Sequence, residues 1–174
     1  YKANNIINFW SRWHITLADF LMNYIYYPIL KSRPRISFNF SMLITIFVFI
    51  IAGLWHGPSW MFVTFGLLHG AGVVFNHYFA KFFDLKIPKF ISIFLTFNYV
   101  NLTFLFFRSN NFEQAMTLIN SMISLKSFNL DYFNDIFNNF DLIKTISLLV
   151  LSFIIIFCFK NSDEIVNSNY LNKS

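Results

Sequence analysis

Four long apolar runs dominate the chain, at about residues 38–54, 59–79, 90–107 and 143–159. A helix rises about 1.5 Å per residue and a bilayer core is about 30 Å thick, so roughly 17–25 apolar residues cross it. Each run therefore predicts a membrane helix, the first and last with little length to spare. Residues 6–25 follow a different pattern. Ile6, Trp10, Trp13, Leu17, Phe20 and Tyr24 form one stripe at helical spacing, and Asn8, Arg12, Thr16, Asp19 and Asn23 form a polar one. This predicts one amphipathic helix within residues 1–30, lying in the membrane interface or against other helices. Pro28 and the KSRPR run at 31–35 should end it.

A more polar stretch, 108–142, separates the last two runs. Within it NNFEQAMTLINSMI reads as an amphipathic helix and SFNLDYFNDIFNNF as an interfacial or loop-rich segment. Residues 161–174 form a polar tail. The pattern as a whole predicts an all-α, polytopic membrane protein. It has about four transmembrane helices, three of them within 38–107, plus amphipathic and interfacial ones.

Composition agrees: 56% of residues are hydrophobic and 12% charged, where soluble domains carry about 25% charged residues. A net charge of +5 could suggest nucleic acid, but the cations stand at the ends of apolar runs, where membrane proteins place them. The connection 31–37 carries Lys31, Arg33 and Arg35, and 80–89 carries Lys81, Lys86 and Lys89 against Asp84. Region 108–142 has Arg108 and Lys126 against four acids. Alternating spans put both basic connections on one side, the cytoplasmic one, and the LWHGP turn on the other. The single cysteine, Cys158, excludes an intrachain disulfide. The four histidines show no HxxxH or HExxH spacing, so no metal site is expected.

The candidate chemistry lies in IAGLWHGPSWMFVTFGLLHG, residues 51–70. A histidine at membrane depth is costly unless it meets partners or water. After His56, Gly57 and Pro58 should break the helix. Irregular backbone at that depth is tolerated inside protein or beside a wet cavity. His56 thus reads either as the mouth or floor of a cavity or as a turn residue bonded to a loop carbonyl. His69, between Gly66 and Gly70, reads as a packing histidine beside a close helix contact. His14 faces away from the polar stripe on an ideal helix, toward other helices, and His77 reads as interfacial.

NFWSRWHITLADFLMNYIYYPI, then GLWHGPSWMFVTFGLLHG, then FLFFRSNNFEQAM, in that order, resemble the membrane-bound O-acyltransferase family, in its bacterial, alginate O-acetyltransferase-like branch. The blocks run from about residue 5 to 120. Full members carry further helices before the first block, so the resemblance implies the carboxyl-terminal portion of such an enzyme. It implies a many-helix fold around a central pore, with acetyl transfer across the inner membrane of a bacterium onto hydroxyls of an extracytoplasmic glycan. Alginate-like polymers, peptidoglycan and other surface glycans all qualify as acceptors. D-alanyl transfer to teichoic acid is the alternative within the family.

The resemblance marks His56 of LWHG and His14 of RWHI as catalytic, with Trp13, Trp55, Gly57 and His69 lining the cavity. It implies no tightly bound cofactor. The acyl donor would be acetyl-CoA or an acyl carrier protein thioester arriving from the cytoplasm. A periplasmic partner acyltransferase could receive the group. Where many relatives read LRDYLYIPLGGNR, this chain reads LMNYIYYPILKSR, with Met22 and Asn23 in place of an Arg–Asp pair. Two other readings of intramembrane histidines stay open: a transporter, and a non-catalytic scaffold.

Overall fold

The computed structural model describes residues 2–83, 87–124 and 140–159. Among them the regular structure is helical throughout. The chain divides into two compact units, Ala3–Ile123 and Ser124–Ser174. The predicted interfacial segment SFNLDYFNDIFNNF and the polar tail lie almost wholly outside the described residues.

The first unit is built on a helical hairpin. Helix α4, Phe38–Trp55, is capped by Ser37, whose hydroxyl accepts from the Phe40 N–H. Helix α5, Trp60–Phe82, is capped by Ser59, which accepts from the Met61 N–H. Each cap satisfies a donor that the first helical turn leaves open. The break predicted at Gly57–Pro58 is present. Gly57 has φ +150°, a conformation that a residue with a Cβ rarely adopts.

The two helices run antiparallel, with the Phe49 carbonyl beside Gly66 and Tyr78 donating to Asn39 Oδ1 across 2.9 Å. A Cβ at Gly53 would collide with the Phe62 carbonyl oxygen, and one at Gly66 with that of Phe49. These two positions let the backbones meet, as small residues do between membrane helices. At one end Arg33 stacks over Phe40 at 4.1 Å and Lys81 over Phe38 at 4.0 Å. His56 lies at the other end of α4, about 27 Å away at helical rise.

Helix α6, Lys89–Arg108, packs against α5, with Tyr99 donating to the Leu68 carbonyl at 2.6 Å. Helix α7, Phe112–Ile123, follows a turn in which Asn111 Oδ1 accepts from the Gln114 N–H and Gln114 Oε1 accepts from the Asn110 N–H. It coincides with the predicted amphipathic helix.

Residues 6–31 depart from expectation. Instead of one helix, α1 (Ile6–Trp10) ends at Ser11, and α2 (Ile15–Leu21) begins after His14. The helix also does not stop at Pro28: it widens into a π-helical turn over Met22–Tyr26 and continues as α3, Tyr27–Lys31. The wider turn restarts the helix so that proline falls in a first turn, where its missing N–H costs nothing. Leu17 and Leu21 of α2 bury against Ile44, Val48 and Ala52 of α4. Ile6 of α1 buries against Val73 of α5 and Val100 of α6, and its N–H donates to Asn76 Oδ1 at 2.9 Å.

In the second unit, α8 spans Phe140–Cys158, with an apolar stretch at Ile143–Ile156. Among the described residues two helices are long and apolar enough to cross a membrane, α4 and α6. Helix α5 has the length, 23 residues, but His69, Asn76 and His77 dilute its hydropathy. The apolar stretch of α8 is shorter than those of α4 and α6.

Candidate functional site

His14 is the one described non-glycine residue with positive φ, at 50°. A left-handed backbone costs a residue with a Cβ roughly 1–2 kcal/mol, and histidine is among the types found there above average. Such strain persists where the surrounding packing enforces it. Here α1 is held by α5 and α6 on one side of the turn, and α2 by α4 on the other. The consequence is a meeting of sequence-distant groups. The His14 ring lies 6.5 Å from that of His56 and 5.7 Å from that of Trp55, centre to centre.

His56 caps the carboxyl end of α4, its N–H bonded to the Gly53 carbonyl at 3.0 Å. Its ring is half-buried. Phe107 and Phe65 stand edge-on at 5.0 Å and 6.3 Å, and Phe62 is tilted at 6.1 Å. Among the described residues neither the His14 nor the His56 imidazole makes a side-chain hydrogen bond, and aromatic rings surround His56. Burial first, and the neighbouring His14 second, lower the His56 pKa below the ordinary histidine value. A neutral imidazole beside an aromatic wall can accept a proton at neutral pH.

The remaining expected positions divide. Trp55 and Gly57 flank His56 directly, with Trp55 largely exposed at 63%. Trp13 stacks on Phe9 at 5.8 Å and meets Phe104 edge-on at 6.2 Å, on the α6 side of the turn. His69 is buried, and both its ring nitrogens are bonded. Trp10 Nε1–H donates to Nδ1 at 3.2 Å, and Nε2 lies 2.8 Å from Thr103 Oγ1. The packing reading of His69 therefore describes its surroundings. Phe65 connects the two places, 4.5 Å from the His69 ring and 6.3 Å from that of His56.

Two clefts of about 300 Å³ open on this unit. One includes Trp13 and Phe104, the other Asn76 and Tyr99, and neither is lined by His14 or His56. Sequence reasoning missed the aromatic cage of Phe62, Phe65 and Phe107, and the partners Trp10 and Thr103. Phe107 was visible in the FLFFR block and Phe62 and Phe65 in WMFVTFG; nothing in the sequence paired them with His56.

Residues 1–116, which contain all four histidines, match the membrane-bound O-acyltransferase family. The chain belongs to that family. Over 98% of its length it is 36% identical to the peptidoglycan O-acetyltransferase of Helicobacter pylori, of which it covers 35%. A probable alginate O-acetylase of Azotobacter vinelandii is 27% identical over 77% of the chain, which covers 26% of that protein. The teichoic acid D-alanyltransferase of Streptococcus thermophilus is 28% identical over 62% of the chain, which covers 31% of it. The chain thus spans about a third or less of these relatives. The membrane-bound O-acyltransferase match covers the turns that hold His14 and His56 and the end of α4 that holds Trp55.

Proposed function

We propose that this chain supplies the reactive histidines of a bacterial multi-pass O-acyltransferase in the inner membrane, moving an acetyl group onto hydroxyls of an extracytoplasmic glycan. The observation that carries the reading is the approach of His14 and His56, 42 positions apart in sequence, to 6.5 Å across a strained turn. Helices α4, α5, α6 and α8 are the four spans of this reading. The acetyl specificity rests on the likeness to the peptidoglycan and alginate enzymes, and the teichoic acid relative keeps D-alanyl transfer as the second reading.

His56 acts as general base. The acceptor hydroxyl oxygen attacks the thioester carbonyl as His56 takes its proton. The carbon–sulfur bond breaks, and the thiolate of coenzyme A or a carrier protein leaves and recovers the proton. His14 orients the acceptor or polarises the carbonyl, and donors in a dry, aromatic setting stabilise the developing oxyanion strongly. Trp13, Trp55 and Gly57 shape the surrounding wall.

Substituting His56→Ala in the full-length protein tests this. General-base catalysis contributes about 10²–10⁴-fold, so acetylated glycan should fall by that factor while membrane insertion is unchanged. Product at the unsubstituted level would remove His56 from the reaction.

A further inference from the structure

Trp10, His69 and Thr103 form a chain of hydrogen bonds whose direction can be assigned. An indole N–H only donates, so His69 Nδ1, 3.2 Å from Trp10 Nε1, is an unprotonated acceptor. The single hydroxyl proton of Thr103 goes to the Val100 carbonyl at 2.7 Å. Its oxygen, 2.8 Å from His69 Nε2, therefore accepts from an Nε2–H. One tautomer, neutral and protonated on Nε2, satisfies every partner. A protonated ring would set its Nδ1–H against the Trp10 N–H. With both nitrogens engaged, His69 has none left for a substrate.

Three elements meet in this chain: α1 through its last residue, Trp10, and α5 and α6 through His69 and Thr103. Trp10 stands just before the turn that places His14. Phe9 extends the same contact, stacking on Trp13 at 5.8 Å and lying 6.0 Å from the His69 ring. His14 has no side-chain bond of its own to fix it, so the upstream end of its turn is held through α1.

We propose that His69 is a positioning residue: as the neutral Nε2–H tautomer it ties α1 to α5 and α6, and so sets the left-handed turn that delivers His14 to His56. The geometry stands alone; the catalytic consequence rests on the acyl-transfer reading above.

The test uses the full-length protein with acceptor glycan and His69→Leu, His69→Gln and His56→Ala. Leucine removes both bonds, while glutamine keeps one acceptor and one donor. Misplacing a catalytic group by about 1 Å can cost on the order of 10²-fold. His69→Leu should lose kcat on that scale with acceptor KM unchanged, and His69→Gln should recover most of it. Among the rings that surround His56, that of His14 is the one other imidazole. Releasing the turn separates the two, so the acid limb of the rate profile should also move to higher pH in His69→Leu. Full activity of His69→Leu, or equal losses in Leu and Gln with the acid limb unmoved, would overturn the positioning role.

If His56→Ala keeps its product, His56 is not the base and the catalytic consequence fails instead. Nitrogen-15 NMR of the unsubstituted protein in membranes, assigned by the signal lost in His69→Gln, then judges the geometry by itself. It should find Nδ1 bare and Nε2 protonated; a protonated Nδ1 would refute the chain of bonds.

Discussion

His56 and His69 stand on the same helical hairpin, and the fold treats them in opposite ways. His69 lies within α5, is 1% exposed, and has both nitrogens committed to partners on other helices. His56 lies at the break between α4 and α5, half-buried among rings that offer it no hydrogen bond. A buried polar group that is fully paired stabilises and specifies packing, whereas an unpaired one is available for chemistry. The difference teaches that a place on an apolar hairpin does not by itself decide what a histidine can do. What the other helices bring to its two nitrogens decides the matter.

The comparison can be broken most severely at the glycine contact that aligns both histidines. Gly66→Leu would drive a side chain into the Phe49 carbonyl, and overpacking of this kind costs about 1–3 kcal/mol or more. It should separate α4 from α5, abolish turnover and lower the melting temperature together. A thermal melt and an activity assay on the purified protein check both; normal values would mean that the backbones do not meet there.

A smaller effect is expected on the His69 side alone. Trp10→Phe leaves Nδ1 of a buried imidazole without its donor, which costs about 1–3 kcal/mol. The melt should shift down, and adding His69→Leu should cost less than the two single losses summed, because both remove the same bond. Strict additivity would show that the two residues do not interact.

The smallest effect belongs to the His56 side. His14 contributes to lowering the His56 pKa, second to burial. In the proposed base role the neutral form works, so activity should be kept above that pKa and lost as pH falls through it. His14→Gln removes the repelling partner, so the acid limb of kcat/KM should move upward while a lower rate remains. A limb that stays in place, or moves down, would mean that His14 does not act electrostatically on His56.

Much of this arrangement was legible along the chain. The apolar runs placed α4, α5, α6 and α8 to within a few residues, because a helix that long needs continuous apolar length to pack. Gly57–Pro58 announced the break, and Gly66 with Gly70 the close contact. The break at residues 11–14 was hidden, because α1 and α2 each keep helical spacing and the left-handed residue is a histidine, not a glycine. Pro28 misled for a related reason: the π-turn that accommodates it has no sequence signal in MNYIY. The pairing of His14 with His56, and of Trp10 with His69 and Thr103, is tertiary. Periodicity reports which face a residue occupies, not which distant residue meets it.

The most direct measurement is acyl transfer to glycan by two full-length variants side by side, His56→Gln and His69→Gln. An amide can replace the two hydrogen bonds of a packing imidazole but cannot take a proton at neutral pH. The account predicts that His56→Gln loses turnover by about 10²–10⁴-fold while His69→Gln stays near the unsubstituted rate. An active His56→Gln protein beside an inactive His69→Gln one would contradict it.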